Sequence, residues 1–330
     1  MKSNIISNSP LVCVRCMTFN HEAYIEDALN GFVIQQTTFP FVVAIINDAS
    51  TDKTKSVINE FVENNCIYNP EIDLRIEEYG TVLDVTVKDN PHCIFHIVHL
   101  NENHYGKKSK LPYFAKYENA AKYVAMCEGD DYWTNPLKLQ KQVDFLEANP
   151  EYSMCFHRAE VINTTKLSIH IHCTTIENRD YSATEIFEQW VVPTASIVYV
   201  KSMVNAFKMK HSEWILYGDI VLLEKCCHVG KVYGMQDVMS VYRMQSESVV
   251  HNPKYQPTKI FKMPNHLRCL QINFKLIDRA TMSWCLSQAY YARCRSGKTN
   301  VIMKLIDLLK AIYYNPSLIL NKFKKSICKK

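Results

Sequence analysis

Three carboxylates, Glu128, Asp130 and Asp131, stand directly after the apolar run from Tyr123 to Cys127 and directly before Tyr132 and Trp133. Carboxylates this close repel one another and are costly to desolvate, so packing alone explains them poorly. They make sense if a divalent cation, and a group that the cation chelates, complete the charge balance. Mg2+ or Mn2+ takes few protein carboxylates and shares its remaining positions with water and phosphate oxygens. A diphosphate held in this way is a better leaving group, because the charge developing on it is neutralised. A single aspartate here would read as a helix cap or a solvated turn acid. The cluster reads as a metal–diphosphate site.

Such a cluster needs a strand to deliver it and neighbouring strands to share its edge. Tyr123 to Cys127 reads as the delivering strand. Leu11 to Met17 reads as another buried strand, ending at the polar group Thr18-Phe19-Asn20-His21. The helix after it takes Asn20 as N-cap and Glu22 in its first turn, with Ile25, Ala28, Leu29 and Phe32 on one face. Phe41 to Ile46 is a further strand, followed by the turn Asn47-Asp48-Ala49-Ser50-Thr51-Asp52. Ser50 is expected to cap the next helix, whose apolar face is Val57, Ile58, Phe61 and Val62.

The pattern loosens over residues 65–95, with an acidic segment near Glu71 to Glu78, and reads there as an insertion or peripheral hairpin. Cys93 to Leu100 is a third strand. Asn135 and Pro136 look like the N-cap and first residue of a helix with Leu139, Val143 and Leu146 inward. Strands alternating with helices through residue 150 predict an α/β fold of right-handed βαβ units, with a Rossmann-like, mostly parallel central sheet flanked by helices. Ligands of such sheets bind beyond the carboxyl ends of the strands. The turns at Asp48 and at Glu128 to Asp131 both lie at such ends.

The second half is less regular. Ser153 to His157, Ser196 to Val200 and Val238 to Arg243 read as strands, and Asp219 to Val229 as a helix with Leu223, Cys226 and Cys227 apolar. From Val301 onward Met303, Leu305, Ile306, Leu308 and Leu309 dominate a helix that runs toward a basic tail.

Composition narrows the choice of partners. Hydrophobic residues make up 47% and aromatics 11%, which is enough for a large core and excludes wholesale disorder. The formal net charge of +5 has a local origin. Lys322, Lys324, Lys325, Lys329 and Lys330 fall in the tail, and without them the basic residues balance the 33 acids. The body therefore makes no electrostatic case for a nucleic-acid partner. Thirteen scattered cysteines with no apolar leader are expected to be free, buried thiols of a cytoplasmic protein. Cys13 and Cys16 have CxxC spacing, but on a strand they point to opposite faces, which argues against zinc. No uninterrupted apolar run is long enough to span a membrane.

Three motifs in order bring the chain close to a known family. Thr18-Phe19-Asn20-His21, Asp48-Ala49-Ser50-Thr51-Asp52 and Glu128-Gly129-Asp130, over roughly residues 10 to 250, resemble the family 2 glycosyltransferases of GT-A fold, of the bacterial polysaccharide-biosynthesis type. That resemblance implies a transferase domain over residues 1–250, with a donor half to about residue 150 and an acceptor half after it, and a helical C-terminal extension over 251–330. It implies an enzyme that moves a sugar from a nucleotide diphosphate sugar, UDP-linked, to a saccharide or lipid-linked hydroxyl, with Mn2+ or Mg2+ as cofactor, in capsule or cell-envelope assembly.

On the matching positions, Asp48 would bind the nucleotide base, and Thr18 and Asn20 would line the nucleotide pocket. Asp130 and Asp131 would ligate the metal, with Glu128 near the ribose or a metal-bound water. Asp219, in Tyr217-Gly218-Asp219, stands where the family places a general base, which implies a single displacement with inversion. Arg243 would pair with a phosphate. Two departures are visible: Glu128 where many members carry Asp, and Gln245 where many carry His. Pro193-Thr194-Ala195-Ser196 resembles an acceptor-side loop. The basic tail, joined to the helix before it, is a candidate contact with the inner face of the plasma membrane.

Rival readings are a nucleotidyltransferase acting on sugar phosphates and a binding-only relative. A nucleotidyltransferase usually carries a Gly-rich basic loop near the first strand, and there is no glycine before Gly31. A dehydrogenase is disfavoured, since no G-x-G-x-x-G follows any strand.

Overall fold

A computed structural model of the chain describes residues 9–163, 170–189, 192–244, 256–296 and 299–320. Gln245 and the tail lysines from Lys322 to Lys330 lie outside the described residues. In chain order the strands are β1 (Val12–Thr18), β2 (Phe41–Asn47), β3 (Cys66–Ile67), β4 (Leu74–Glu77), β5 (Gly80–Val87), β6 (Asn90–Leu100), β7 (Tyr123–Met126), β8 (Tyr132–Trp133), β9 (Tyr152–Asn163), β10 (His170–Cys173), β11 (Arg179–Asp180), β12 (Val198–Val200) and β13 (Lys231–Met244). The helices are α1 (Ile25–Val33), α2 (Thr54–Asn65), α3 (Pro70–Asp73), α4 (Leu111–Ala120), α5 (Lys138–Ala148), α6 (Ala183–Gln189), α7 (Lys201–Ala206), α8 (Gly218–Val229), α9 (Gln256–Asn273), α10 (Arg279–Arg295) and α11 (Val301–Tyr314).

The chain forms two compact units. The first comprises Met1–Tyr181, Val191–Ala206 and Gly230–Met244 and holds one sheet in the order β11-β13-β9-β12-β7-β1-β2-β6-β5-β3. Its centre is parallel, as the alternation of strands and helices predicts: β7, β1, β2 and β6 run side by side in one direction. Its flanks differ. β12 pairs antiparallel with both β7 and β9, and β5 antiparallel with β6, β3 and β4. The stretch read as an insertion or hairpin thus continues the sheet beyond its parallel part.

β2 explains the centre. Its seven residues, Phe-Val-Val-Ala-Ile-Ile-Asn, are all buried, as expected for a strand covered on both faces. Alternate residues supply two cores. Val12, Val14, Cys16, Val43 and Ile45 pack with Ile25, Leu29 and Phe32 of α1, Ile58 and Phe61 of α2, and Leu139 and Val143 of α5. Cys13, Val42, Ala44 and Ile46 pack on the other side with Phe114 and Tyr117 of α4. Cys13 and Cys16 therefore fall in different cores, and both are free thiols.

Three expected helix starts are corrected. α5 begins at Lys138 rather than at Pro136, with Asn135 Oδ1 accepting from Leu137 N–H at 2.9 Å. α1 begins at Ile25 rather than after Asn20, and α2 begins at Thr54 rather than after Ser50. The side chains of Asn20 and Ser50 are spent across the sheet edge instead. The Asn20 amide oxygen accepts from Thr51 N–H at 2.8 Å, and Ser50 Oγ accepts from Asn20 N–H at 3.0 Å. Asp52, not Ser50, takes the Thr54 N–H, at 2.9 Å.

The second unit comprises Ser182–Trp190, Phe207–Val229 and Gln245–Lys330 and is helical in its described part. Val221 of α8, Leu267 and Leu270 of α9, Phe274 just after it, Leu286 and Tyr290 of α10, and Ala311 of α11 share its core. Asp278 caps α10 by accepting from Thr281 N–H, and Asn300 caps α11 by accepting from Met303 N–H.

Candidate functional site

The carboxyl ends of β1, β2 and β7 converge on Thr18. In the β1–β2 register Thr18 faces Asn47, so the Asp48 turn starts beside it, and Asp48 N–H donates to the Thr18 carbonyl at 3.0 Å. From the other side Gly129 N–H donates to the Met17 carbonyl at 2.9 Å. A Cβ on residue 129 would lie 2.8 Å from Thr18 Cβ and Oγ1 and 2.9 Å from Ile25 Cδ1. Glycine at 129 is what lets the acidic turn seat against Thr18.

The first two turns are sewn together by their own side chains. Besides the Asn20, Ser50 and Thr51 bonds, His21 N–H donates to Thr54 Oγ1 at 2.8 Å, Glu22 N–H to Asp52 at 3.0 Å, and Lys53 N–H to Glu22 at 2.8 Å. Asn20 and Ala49 both sit in the left-handed region, at φ 56° and 55°. Such conformations persist where surrounding bonds over-determine them.

The three clustered acids meet different fates. Asp131 is buried, and one of its oxygens accepts from Arg243 N–H at 2.8 Å. Burial first, and then neighbouring Asp130, push its carboxyl well above the usual carboxylate range, against the pull of that N–H. Asp130 is half-buried, with its side chain 21% exposed and an oxygen 3.9 Å from His21 Nε2. Glu128 is likewise half-buried. Burial holds the His21 imidazole below its ordinary value, although Asp130 and Asp52 pull the other way.

Two buried polar atoms close to Asp130 have no hydrogen-bond partner in the protein: Thr18 Oγ1 and His21 Nδ1. Buried polar groups are normally satisfied, so each exception asks for an explanation. Thr18 Oγ1 lies against Gly129 of the acidic turn, and the other ring nitrogen of His21, Nε2, is 3.9 Å from Asp130.

Arg243 grips the acidic turn from behind. Its guanidinium donates to the Asp130 carbonyl at 3.0 Å, pairs with Asp27, and lies over the rings of Tyr132 and Tyr24 at 4.5 and 5.2 Å. Those contacts occupy the group that the sequence reading assigned to a phosphate. Asp48 is also engaged: one oxygen accepts from His104 N–H at 2.7 Å and the other from Lys110 Nζ at 2.9 Å. His104 Nδ1, buried beside it, has no protein partner.

Asp219 belongs to the second unit. It sits in the first turn of α8, accepts from Ile220 N–H at 2.9 Å, and has its carboxyl raised by burial. In the first unit, Ala195 of the loop read as acceptor-side accepts from Trp133 Nε1–H at 2.8 Å. A cleft of about 610 Å³ lined by Gln35, Thr37, Asp89 and Pro136 lies by the start of β6, and none of its lining residues belongs to this site.

Sequence reading quoted His21 within its motif but gave it no role. It missed Lys110, whose link to Asp48 spans 62 positions and leaves no local signal.

The donor set fits a hard divalent cation that takes little from the protein. Carboxylate oxygen is offered by Asp130, with Glu128 near it in the chain and no thiolate exposed there. Among the described residues no group of three metal-ligating side chains forms, so most positions around such an ion would be left to water and phosphate oxygens.

No family model matches the sequence. Uncharacterized proteins of Mycobacterium tuberculosis and Mycobacterium bovis are 29% identical to it over 258 residues, which is 76% of this chain and 63% of theirs. The chain thus spans 63% of the length of the curated relatives it matches. Among solved structures it is similar to S. aureus TarS 1–349 in complex with UDP-GlcNAc, with TM-score 0.56 and 14% identity over 92% of this chain and 81% of that one. It is similar also to the mannosyltransferase PcManGT from Pyrobaculum calidifontis in complex with GDP-Man and Mn2+, with TM-score 0.50 and 13% identity over 94% of this chain and 82% of that one. At such identities the likeness establishes the fold: a mixed α/β glycosyltransferase fold with a large central sheet and C-terminal helices.

Proposed function

We propose that this chain is a glycosyltransferase that moves a sugar from a nucleotide diphosphate sugar, with UDP as the nucleotide, to a hydroxyl of a saccharide or lipid-linked acceptor. The observation that carries the reading is the partly exposed Asp130 on a turn that touches Thr18 through Gly129 and His21 through its Nε2, both residues holding an unpartnered polar atom, at the strand ends of a fold shared with nucleotide-sugar transferases. Asp130, with Glu128 beside it, would hold Mn2+ or Mg2+. The ion, when bound, neutralises charge on the diphosphate leaving group. Thr18 and His21 offer hydrogen bonds to the donor at the same place. Asn20 holds the Thr51 backbone and so fixes the wall of the pocket.

In this reading the base lies along the edge formed by Asp48 and His104, where Asp48 keeps lone pairs that His104 N–H and Lys110 do not use and His104 Nδ1 is unpartnered. Arg243 acts by fixing the acidic turn rather than by touching phosphate. Asp131 supports the turn from inside, and Asp130 is the ligand. Residues to about 150 serve the donor and those after them the acceptor. Asp219, whose carboxyl is raised by burial, is assigned the general base, which would give a single displacement with inversion. Acceptors of this kind belong to capsule and cell-envelope assembly.

Thermal shift with UDP, with and without Mn2+, tests the site, and a screen of nucleotide sugars for release of nucleotide diphosphate tests the reaction. The expected result is a Mn2+-dependent rise in Tm and release from one donor that depends on acceptor. Absence of any metal-dependent response to nucleoside diphosphates would overturn the reading. Binding without release from any donor would favour a binding-only protein.

A further inference from the structure

α11 is packed inside out. Around its axis, Val301, Ile302, Leu305, Ile306, Leu309 and Tyr313 fall on one continuous arc and are all exposed, from 41% for Ile306 to 80% for Tyr313. No polar side chain interrupts that arc. The opposite side of the helix carries its one acid, Asp307, which is fully buried. Apolar residues ordinarily turn inward and acids outward, so something must hold α11 the other way round.

The holding contacts are specific. Arg293 of α10 donates to both carboxylate oxygens of Asp307, Nε at 2.9 Å and Nη2 at 2.7 Å, in a bidentate pair. Ser287 Oγ of α10 donates to the Ala311 carbonyl at 2.8 Å, and Ala311 is fully buried. A buried, two-pronged ion pair tolerates little rotation, because breaking it leaves an uncompensated charge. The apolar arc is therefore presented outward by design of the α10–α11 contact, not by want of a better packing.

We infer that this arc is a docking surface for an anionic lipid bilayer, on which α11 lies flat. Charge chooses the occupant. From Asn300 to Lys330 the sequence holds seven lysines and no acid besides Asp307, which Arg293 already neutralises. An apolar face accompanied by lysines alone matches acyl chains beneath acidic headgroups. A second copy of the same helix would set lysines against lysines. Tyr313, at the end of the arc, has the amphipathic ring that settles at headgroup level. With 14 residues α11 is about 21 Å long, too short to cross the hydrocarbon core, and no described helix is long and apolar enough to do so. The inference rests on the α11 arc and the lysines of residues 300–330, and stands whether or not the transferase reading does.

Flotation of the full chain with vesicles tests it, comparing phosphatidylcholine alone with phosphatidylcholine carrying phosphatidylglycerol. The expected result is flotation with the anionic vesicles, weakened by salt, and at least a tenfold or so lower partition for Leu305→Glu with Leu309→Glu. Those side chains are 57% and 67% exposed, so the variant should keep its Tm. If its Tm falls, Val301→Ser with Ile302→Ser carries the same test. Lys322→Gln, Lys324→Gln and Lys325→Gln together should abolish the preference for anionic over neutral vesicles. The inference is overturned by no flotation, by flotation unchanged in the apolar variants, or by a dimer in light scattering that these variants split while vesicles go unbound.

Discussion

Two regions of the first unit contain buried polar atoms without a protein partner, and they differ in what surrounds them. Thr18 Oγ1 and His21 Nδ1, themselves buried, belong to residues that touch the acidic turn: Thr18 lies against Gly129, and His21 Nε2 is 3.9 Å from Asp130, whose side chain is 21% exposed. Lys138 Nζ, Gln142 Oε1 and His157 Nε2 are sealed, with all three residues fully buried around Cys127 and Cys155. Burial pushes Lys138 down to about 7 even though its ammonium sits 3.9 Å from the Trp133 ring centroid, which favours charge. It also brings His157 down to about 3, helped by Lys138. An unsatisfied group beside an opening has a ligand to gain; one inside the core only lowers stability. Access, rather than lack of a partner, separates a site from a defect.

The largest effect that could break this contrast is at Asp130. Asp130→Asn should lower kcat/KM for transfer about 10³-fold and remove the Mn2+ dependence of UDP binding, with Tm nearly unchanged because the side chain is half-exposed. Activity within a few-fold of wild type would end the assignment.

Next in size comes Lys138→Met, which should stabilise the fold by on the order of 3 kcal/mol at pH 7 and leave donor binding alone. The folded value, about 7, lies below the ordinary lysine value of 10.5, so both states carry the proton below pH 7 and the cost of burying charge is then complete. As pH rises through that window the folded state is already neutral while the unfolded chain sheds its proton, and the cost disappears. The stability gap between variant and wild type in urea titrations should therefore be widest at pH 7 and below and narrow by pH 8.5. A gap that does not change with pH would mean that Lys138 keeps its charge in the core.

Gly129→Ala should cost about 2 kcal/mol and weaken donor binding together, since the new methyl meets Thr18 and Ile25. A stability loss with full donor affinity would detach Thr18 from the site. The smallest effect is expected at Ser50→Ala, about 1 kcal/mol in chemical denaturation with donor affinity unchanged, because Ser50 bonds only Asn20 and Asn47 in sewing the turns together.

Much of this arrangement is legible in the sequence. β2 is plain from six consecutive apolar residues, Phe41 to Ile46, and the inward faces of α1 and α5 from their spacing. The acidic turn could be placed because an apolar strand runs straight into it. The helix starts after Asn20 and Ser50 were misplaced, because good capping residues were recruited by partners about 30 positions away, and a local pattern has no view of such bonds. The antiparallel flanks escaped for the same reason: β12 lies between β7 and β9 through pairings that no periodicity announces.

The sequence by itself determined the parallel centre and the delivery of carboxylates to its edge, since both follow from side-chain types within a few residues of one another. Only the tertiary structure decided that Asp131 turns in to Arg243, 112 positions away, while Asp130 remains at the surface. It also decided that α11 buries its acid and shows Leu305 and Leu309, because the arginine that fixes the helix stands on α10. The choice in each case rests on a charged or hydrogen-bonded partner distant along the chain, and the energy of such a pair exists only once folding has brought both ends together.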